Sequence, residues 1–327
     1  MTQTAFVTGA TGFLGRHLCQ QLVQAGWHVT AMCRSIPEKA LERVNYVQAD
    51  LLNQQSLLDA IPQNTDQIFH VAADTNTWHK NNPRQTRTNI QGTENLINAA
   101  IANQAKAWLH VSSIATFGVD HHGMMNLNEG VEQEGLKSWV NYVKTKSQAE
   151  AMVKAKAQEL HAVVVNPTHI IGPDDQQNWI RLFKMMINDN LPTVPVGAGS
   201  FVDVRDVARG CILAAEKGHV GENYILGGHN LSFSEFIEQV SDAFDLKVTL
   251  RNKPMLLIKI AAKVKSMVAS LTGKEPDLTA ESLQLISHQY KTTSLKAQDQ
   301  LGYQIRPFED TLEDIKQNLI VRGILNV

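Results

Sequence analysis

Tyr142 and Lys146 are the residues of this sequence whose types and spacing are best suited to chemistry. They lie four positions apart in a segment with a helical pattern, so both side chains fall on one face of the predicted helix. A tyrosine hydroxyl has an ordinary pKa of about 10, and a neighbouring ammonium group favours the phenolate. The pair is therefore suited to proton transfer near neutral pH. Ser112 and Ser113, which follow an apolar run earlier in the chain, would add hydroxyl groups beside it.

A glycine-rich loop near the start of the chain is suited to binding a diphosphate. It follows the apolar run 5–7, precedes an amphipathic helical pattern, and has glycines three residues apart at Gly9, Gly12 and Gly15. Such glycines permit a tight turn, a close approach of main chain to a pyrophosphate, and close packing of helix on strand. Amide groups at a helix N-terminus favour an anion, and Thr8 and Thr11 offer hydroxyls.

The composition indicates a globular enzyme with one large domain and a smaller lobe. The chain has 327 residues, more than a single core usually holds. A net charge of −2 provides no electrostatic surface for nucleic acid, so we expect no nucleic-acid partner. The three cysteines are far apart, and we expect buried reduced thiols and no metal. Without a signal-peptide pattern or an apolar run of about 18 residues, a cytoplasmic location is expected.

Strand and helix patterns alternate through the first half of the chain. Short apolar runs typical of strands buried on both faces occur at 5–7, 28–33, 45–47, 67–71, 107–111 and 162–165. Separated by helical patterns, they predict an α/β fold with a doubly wound parallel sheet of Rossmann type. Ligands of such sheets bind at the carboxyl ends of the strands. The residues that follow the runs include Arg34, Asp50, Leu51, Ala72, Ala73, Ser112, Ser113, Pro167 and Thr168.

These motifs together resemble the extended branch of the short-chain dehydrogenase/reductase superfamily over nearly the whole chain. The matching segments are residues 8–15, 50–51, 70–73, 89–93, 112–113 and 201–208, with Tyr142 and Lys146. The resemblance implies Tyr142 as proton donor and acceptor, Ser113 as hydrogen-bond partner of a substrate carbonyl, and Lys146 as a ribose ligand that lowers the Tyr142 pKa. The implied cofactor-binding residues are Thr8, Gly9, Thr11, Gly12, Phe13, Leu14, Gly15, Arg34, Asp50, Leu51, Val71, Ala72, Ala73, Asn89, Tyr142, Lys146, Pro167 and Thr168.

The end of the second predicted strand favours NADP(H) as cofactor, with NAD(H) as the alternative. Epimerases that keep NAD usually place an acidic residue there to hold the adenosine ribose hydroxyls. This chain instead has Arg34 and Ser35, with no acid before Glu38. An arginine can pair with a 2′-phosphate through two hydrogen bonds and stack on adenine. The opposing interpretation is that Arg34 simply faces solvent.

The segment from Pro167 to Pro173 is similar to that of dihydroflavonol reductases and 3β-hydroxysteroid dehydrogenases. It implies an NADPH-dependent reductase of a ketone or aldehyde group on a largely apolar small molecule. Ile114 and Ala115 stand where sugar-nucleotide 4,6-dehydratases carry an Asp-Glu pair, which argues against that activity. Two alternatives stay open: a nucleotide-sugar epimerase that retains NAD(P), and a noncatalytic NADP-sensing regulator.

The substrate-binding lobe is expected to be small, C-terminal and discontinuous. We predict an NADP-binding domain at 1–169 and 203–228, and a substrate-binding lobe at 170–202 and 229–327. Residues expected to face the substrate, with ordinary packing as the alternative for the aromatic ones, are Trp78, Phe117, Trp139, His169 and Trp179.

An amphipathic helical pattern spans residues 254–272. Leu257, Ile260 and Val264 share one face of it, and lysines lie elsewhere. The pattern predicts either a lid over the substrate cleft or a basic helix that associates weakly with a membrane surface. The family resemblance also implies a homodimer, because relatives often pair through two helices of the nucleotide domain.

Overall fold

The structure, a computed structural model, describes residues 2–119, 123–191, 194, 197–248 and 279–326. The strands within these ranges are β1 (Thr4–Thr8), β2 (His28–Cys33), β3 (Val44–Gln48), β4 (Gln67–His70), β5 (Trp108–Val111), β6 (Met125–Leu127), β7 (Ala162–Pro167), β8 (His169–Ile171), β9 (Ala198–Asp203), β10 (Asn223–Leu226), β11 (His229–Ser232) and β12 (Tyr290–Thr292). The α-helices are α1 (Phe13–Gln24), α2 (Gln54–Ala60), α3 (Asn82–Thr86), α4 (Gly92–Ala102), α5 (Asn141–Ala155), α6 (Ala157–Leu160), α7 (Ile180–Ile187), α8 (Val204–Lys217), α9 (Phe233–Ala243), α10 (Ala280–Ser287), α11 (Leu295–Leu301) and α12 (Phe308–Val321).

The main element of the fold is a seven-stranded parallel sheet in the order β10-β7-β5-β4-β1-β2-β3. The chain adds β2 and β3 on one side of β1 and then crosses to β4 on the other side. Ligands bind outside the carboxyl ends of the strands at such a switch point. The Rossmann-type α/β fold predicted from the sequence is therefore confirmed, and each predicted strand is found within two residues of its expected bounds.

Successive residues of β1 belong to two separate core layers on opposite faces of the sheet. Val7 packs in a cluster with Leu18 of α1 and with residues of α8, whereas Phe6 packs in a second cluster with Leu57 of α2 and Leu96 of α4. Successive side chains of a strand point to opposite faces of the sheet. Helices therefore cover both faces, which is why the strands are apolar throughout instead of alternating with polar residues.

A smaller lobe is built on the three-stranded sheet β11-β9-β8 and has an aromatic core. The rings of Phe201 and Phe236 stack with centroids 4.0 Å apart, and Phe183 and Phe308 join the same cluster. The chain enters this lobe at β8, directly after β7, and α8 returns it to the main sheet at β10. The exact domain bounds stay a prediction.

None of the described helices is both long and apolar enough to span a bilayer. The amphipathic pattern at 254–272 lies outside the described residues. The lid and the membrane-surface helix therefore both remain predictions.

The connection from β1 to α1 is very closely packed. Gly9 has a φ of +68°, in the region that favours glycine. A Cβ atom built on Gly15 would lie 2.1 Å from the carbonyl oxygen of Gly9. The first turn of α1 can therefore lie against the loop only because no side chain stands between them.

His70 and His110 are paired in register on β4 and β5 and are both buried. Their ring centroids are 5.3 Å apart. Burial lowers the pKa of His70 to about 3 and the pKa of His110 well below its usual value, and the charge of Lys146 acts in the same direction. Both imidazoles are therefore neutral at pH 7.

Replacing Gly15 with alanine should destabilise the protein by about 1–3 kcal/mol, because the added methyl group forces α1 away from the loop. Urea unfolding measures the loss. Gly130→Ala is the matched control, since a Cβ atom there meets only the side-chain oxygen of Asn128, at 3.1 Å. Equal stabilities of the two variants would contradict the close packing.

Acid should destabilise the protein because the buried histidines take up protons only when the chain unfolds. An unfolded histidine has a pKa of about 6.5, so the stabilising contribution is present above that pH and is lost as the pH falls from there toward 3. Between pH 7 and pH 5 the loss from His70 should be about 2 kcal/mol, and His110 should add a loss in the same direction. Urea titrations at several pH values measure it.

His110→Leu is the informative variant for this effect, because neither ring nitrogen of His110 has a hydrogen-bond partner among the described residues. It removes one titrating group without removing a hydrogen bond. The variant should lose less stability than the parent in acid. The same pH dependence in both proteins would show that His110 is not the neutral buried group described above.

Candidate active site

Ser113, Tyr142 and Lys146 come together at the carboxyl end of β5. Ser113 follows β5 and begins the 3₁₀ turn Ile114–Phe117, and α5 carries the other two residues. The Ser113 side chain is hydrogen-bonded to the Tyr142 hydroxyl. Its Oγ also accepts the amide hydrogen of Ala115 at 3.2 Å, which leaves its own hydrogen to be donated to another oxygen.

Burial governs the protonation of both groups on α5. It raises the pKa of Tyr142 above the usual value, and the Ser113 hydrogen bond opposes the rise. The lowering that was expected from Lys146 is not found in this structure. Burial also lowers the pKa of Lys146 to about 8, against the opposing effect of Glu150. Tyr142 is thus held as a protonated hydroxyl that can donate its proton.

The N-terminus of α1 fits the diphosphate of a dinucleotide. Gly12 is the N-cap residue and no side chain caps the helix there, so the N-terminal amide groups can meet an anion. A Cβ atom on Gly9 would lie 2.7 Å from the backbone nitrogen of Ala72, so the loop lies against the segment that follows β4. Leu14 is buried, and Phe13 makes an edge contact with the His17 ring at 5.8 Å.

The Thr8 hydroxyl is hydrogen-bonded inside the protein. Its Oγ1 lies 2.8 Å from Nδ1 of His70 and accepts the amide hydrogen of Ala72 at 3.2 Å. Nε2 of His70 lies 2.9 Å from Oγ1 of Thr93. The Thr8 hydroxyl therefore joins β1 to β4 and, through His70, to α4, and its contact with a cofactor stays a prediction. Thr11 is exposed on the loop and fits that role better.

Asn89 positions the segment that follows β4. Its Oδ1 accepts the amide hydrogen of Asp74 at 2.7 Å. Its Nδ2 donates to the carbonyl oxygen of Asp74 at 3.0 Å and to Oγ1 of Thr145 at 3.1 Å. Both ends of the amide are engaged, so Asn89 ties the segment with Val71, Ala72 and Ala73 to α5.

The expected adenosine and carboxamide ends of the site lie at other strand ends. Arg34 and Asp50 are exposed at the ends of β2 and β3, and Leu51 is buried against Gly92. Thr168, directly after Pro167 at the end of β7, is buried, and its Oγ1 has no hydrogen-bond partner among the described residues. An unpaired buried hydroxyl is costly unless a ligand bonds to it. Thr168 therefore fits contact with a bound cofactor.

Two of the expected substrate residues meet in the aromatic core of the smaller lobe. The ring centroids of His169 and Trp179 are 5.3 Å apart, and the Tyr290 centroid lies 5.7 Å from that of His169. Burial lowers the pKa of His169 to about 4, so the ring is neutral at pH 7. The structure thus places a neutral imidazole among aromatic rings.

The other three expected substrate residues are found in different environments. Phe117 is 1% exposed and packs with Ile114 and Leu127 inside the protein, which favours the alternative of ordinary packing. Trp78 is also buried, and its ring nitrogen has no hydrogen-bond partner among the described residues. Trp139 is 54% exposed and lies three residues before Tyr142.

Tyr290 and Glu150 are site residues that the sequence did not reveal. Tyr290 comes from β12, far along the chain, and no local motif marks it. Glu150 follows Lys146 by four residues, the same spacing that links Lys146 to Tyr142. A search for a further polar residue one helical turn after Lys146 would have identified Glu150.

Metal ligands and reactive thiols do not form part of the described site. Within the described ranges, no group of three or more histidine, cysteine or carboxylate side chains is placed to hold a metal ion. Cys19, Cys33 and Cys211 are buried and unpaired.

Sequence comparison links this site to known proteins. The sequence profile of the NAD dependent epimerase/dehydratase family matches residues 5–227. A protein of Synechocystis sp. named "Putative dihydroflavonol 4-reductase" is 28% identical over 96% of this chain and 94% of its own length. The 4-hydroxy-2-methyl-3-oxo-4-farnesyl-3,4-dihydroquinoline-1-oxide ketoreductase of Stigmatella aurantiaca is 29% identical over 91% of each chain.

The fold is also found among solved structures. The crystal structure of gox2253 matches it with a TM-score of 0.83 and 28% identity, over 99% of this chain and 100% of the other. The matched profile covers the glycine loop, Ser113, Tyr142 and Lys146, and thus every part of the site on the main sheet. The chain therefore belongs to the NAD dependent epimerase/dehydratase family.

Proposed function

We propose that this protein is an NADPH-dependent reductase of a ketone or aldehyde group on a largely apolar small molecule. The observation that carries the proposal is the protonated Tyr142 hydroxyl, hydrogen-bonded to Ser113 at the carboxyl end of β5. The names of two relatives, a dihydroflavonol 4-reductase and a ketoreductase, support reduction of a carbonyl group.

Each side chain of the site has a separate role in such a reduction. Bound NADPH would supply a hydride to the carbonyl carbon. Tyr142 donates its proton to the carbonyl oxygen as negative charge develops there. Ser113 donates a hydrogen bond to the same oxygen. One hydride and one proton together give the alcohol, and Tyr142 then regains a proton from solvent.

The smaller lobe supports an apolar substrate. His169 and Trp179 are half-buried, with ring centroids 5.3 Å apart, and the rings of Phe201, Phe233 and Tyr290 pack behind them at 5.2 to 5.9 Å from His169. The imidazole is neutral at pH 7, because burial holds its pKa near 4. A diphosphate-bearing sugar would require charged partners that this cluster lacks, whereas aromatic rings favour apolar groups.

The direct test is to follow NADPH oxidation with a panel of aryl ketones, aldehydes and sugar nucleotides. The proposal expects stoichiometric NADPH consumption with one or more of the apolar carbonyl compounds. A nucleotide-sugar epimerase would retain oxidised cofactor through purification and consume no NADPH. That second result would refute the reductase.

Tyr142→Phe should lower kcat about 10²–10⁴-fold, because the proton donor of the carbonyl oxygen is removed. The NADPH dissociation constant should change little, since the glycine loop is intact. Steady-state kinetics and fluorescence titration measure the two quantities. Tyr46→Phe, the same substitution on β3, is the control and should retain activity. Comparable kcat values for the two variants would exclude Tyr142 as the acid.

Arg34→Ala should weaken NADPH binding about tenfold or more, since the 2′-phosphate loses a charged partner. NADH binding should fall much less, because NADH has the adenine but lacks that phosphate. Titration of both cofactors gives the ratio, and Arg209→Ala on the exposed side of α8 serves as control. A parent protein that prefers NADH, or an Arg34 variant that weakens both cofactors equally, would contradict the NADP assignment.

A further inference from the structure

Glu150 is a buried carboxylate one helical turn beyond Lys146, and it is only 1% exposed. Four side chains hydrogen-bond to it: Gln133 Nε2 at 2.8 Å and Asn223 Nδ2 at 2.6 Å to Oε1, and Asn166 Nδ2 at 3.1 Å and the Ser112 hydroxyl to Oε2. Each of these partners donates a hydrogen. An acceptor of four such bonds has no need of its own proton, so Glu150 is held as a carboxylate.

Glu150 is the negative charge that balances the Lys146 ammonium. Lys146 and Glu150 are both buried and lie one turn apart on α5, and successive residues at the end of β5 bind them: the Val111 carbonyl oxygen accepts from Nζ at 2.7 Å, and the Ser112 hydroxyl donates to Glu150. The other titratable groups that act on the ammonium are His70 from β4 and His110 from β5. Both histidines are neutral at pH 7. Lys154 lies 3.9 Å from Glu150, but its side chain is 38% exposed, so water screens that contact. Glu150 is the group that favours the charged form of Lys146, against the cost of burial.

The same carboxylate also fixes the backbone around Ser113. Asn166, which donates to Glu150, has a second bond from Nδ2 to the Ser113 carbonyl oxygen at 3.1 Å. Asn223 of β10 donates to Oδ1 of Asn166 at 2.7 Å. Glu150 therefore ties α5 to the carboxyl ends of β5 and β7 and to the edge strand β10.

We propose that Glu150 is a positioning residue that keeps Lys146 in its ammonium form, and thereby sets the pH range over which the protein binds its nicotinamide cofactor tightly. The inference rests on the proposed role of Lys146 as a ligand of the nicotinamide ribose. A buried ammonium without a nearby carboxylate loses its proton more readily, because burial penalises the charged form. Glu150 acts through Lys146 and does not contact the reacting atoms.

Glu150→Gln keeps the size of the side chain and removes its charge. Its amide nitrogen also replaces an oxygen that accepts two hydrogen bonds, a loss that does not vary with pH. NADPH dissociation constants are measured by fluorescence between pH 6 and pH 9, with no substrate present. The ratio of the variant's constant to the parent's should rise from near one at pH 6 to about fivefold or more at pH 8, which corresponds to a Lys146 pKa about one unit lower. Glu159→Gln, which alters an exposed carboxylate paired with Lys156, should follow the parent at every pH.

A ratio that stays constant across the pH range would show that Glu150 merely supports the fold, and would overturn the proposal. The measurement needs no substrate, so a failure of the proposed carbonyl reduction would not affect it. A parent protein that bound neither NADPH nor NADH would refute the proposed function itself. The stability comparison that follows would then decide the role of Glu150.

A double-mutant comparison keeps the proposal testable if Glu150→Gln does not fold. Lys146→Met and Lys146→Met/Glu150→Gln are compared by thermal unfolding. The hydrogen-bond loss of Glu150→Gln is the same in both backgrounds, but the charge of Glu150 matters only while the ammonium is present. Glu150→Gln should therefore lower the unfolding midpoint less in the Lys146→Met background than in the parent, and the double variant should fold. A double variant that does not fold, or that loses as much stability as Glu150→Gln loses in the parent, would overturn the proposal.

Discussion

The buried ammonium group of Lys146 is the interaction on which the arrangement of the site depends. Taking an ammonium out of water costs several kcal/mol unless charge and hydrogen bonds offset the loss. Here the Val111 carbonyl oxygen accepts a hydrogen bond from Nζ at 2.7 Å, and Glu150 supplies the opposite charge. The same ammonium acts against protonation of His70 and His110 on the adjacent strands. Because the Lys146 ammonium is positive and buried, the neighbouring strands place neutral side chains and a hydrogen-bond acceptor around it.

The topology of the sheet brings the parts of the site to one edge. β1 and β4 are neighbours, so the glycine loop after β1 and the segment after β4 approach so closely that a Cβ atom on Gly9 would overlap Ala72. β5 and β7 are also neighbours in the sheet. Ser113, which follows β5, and Thr168, which follows β7, therefore lie at the same end of the sheet, beneath α5. The carboxyl ends of parallel strands lie at one edge of the sheet. That edge therefore holds both the anion-binding N-terminus of α1 and the proton donor Tyr142. The aromatic lobe then supplies apolar surroundings that the polar strand ends lack.

Local features of the sequence predicted the sheet, the glycine loop and the grouping of Ser113, Tyr142 and Lys146. Strand periodicity and helical spacing are properties of neighbouring residues, so the chain displays them directly. The roles of Thr8 and Asn89 could not be derived in this way, because each is decided by a partner from another element: His70 for Thr8, and Asp74 with Thr145 for Asn89. Tyr290 reaches His169 across 121 positions of sequence, and only the folded chain brings the two rings together.

Deuterium transfer tests the proposed carbonyl reduction most directly. The protein is incubated with NADPH deuterated at the transferred position of C4 and with an apolar ketone or aldehyde, and the product is analysed by NMR. The proposed reduction predicts one alcohol for each NADPH oxidised, with deuterium on the carbinol carbon. Unchanged NADPH with every carbonyl compound, together with inversion of a sugar nucleotide and no net cofactor turnover, would contradict it.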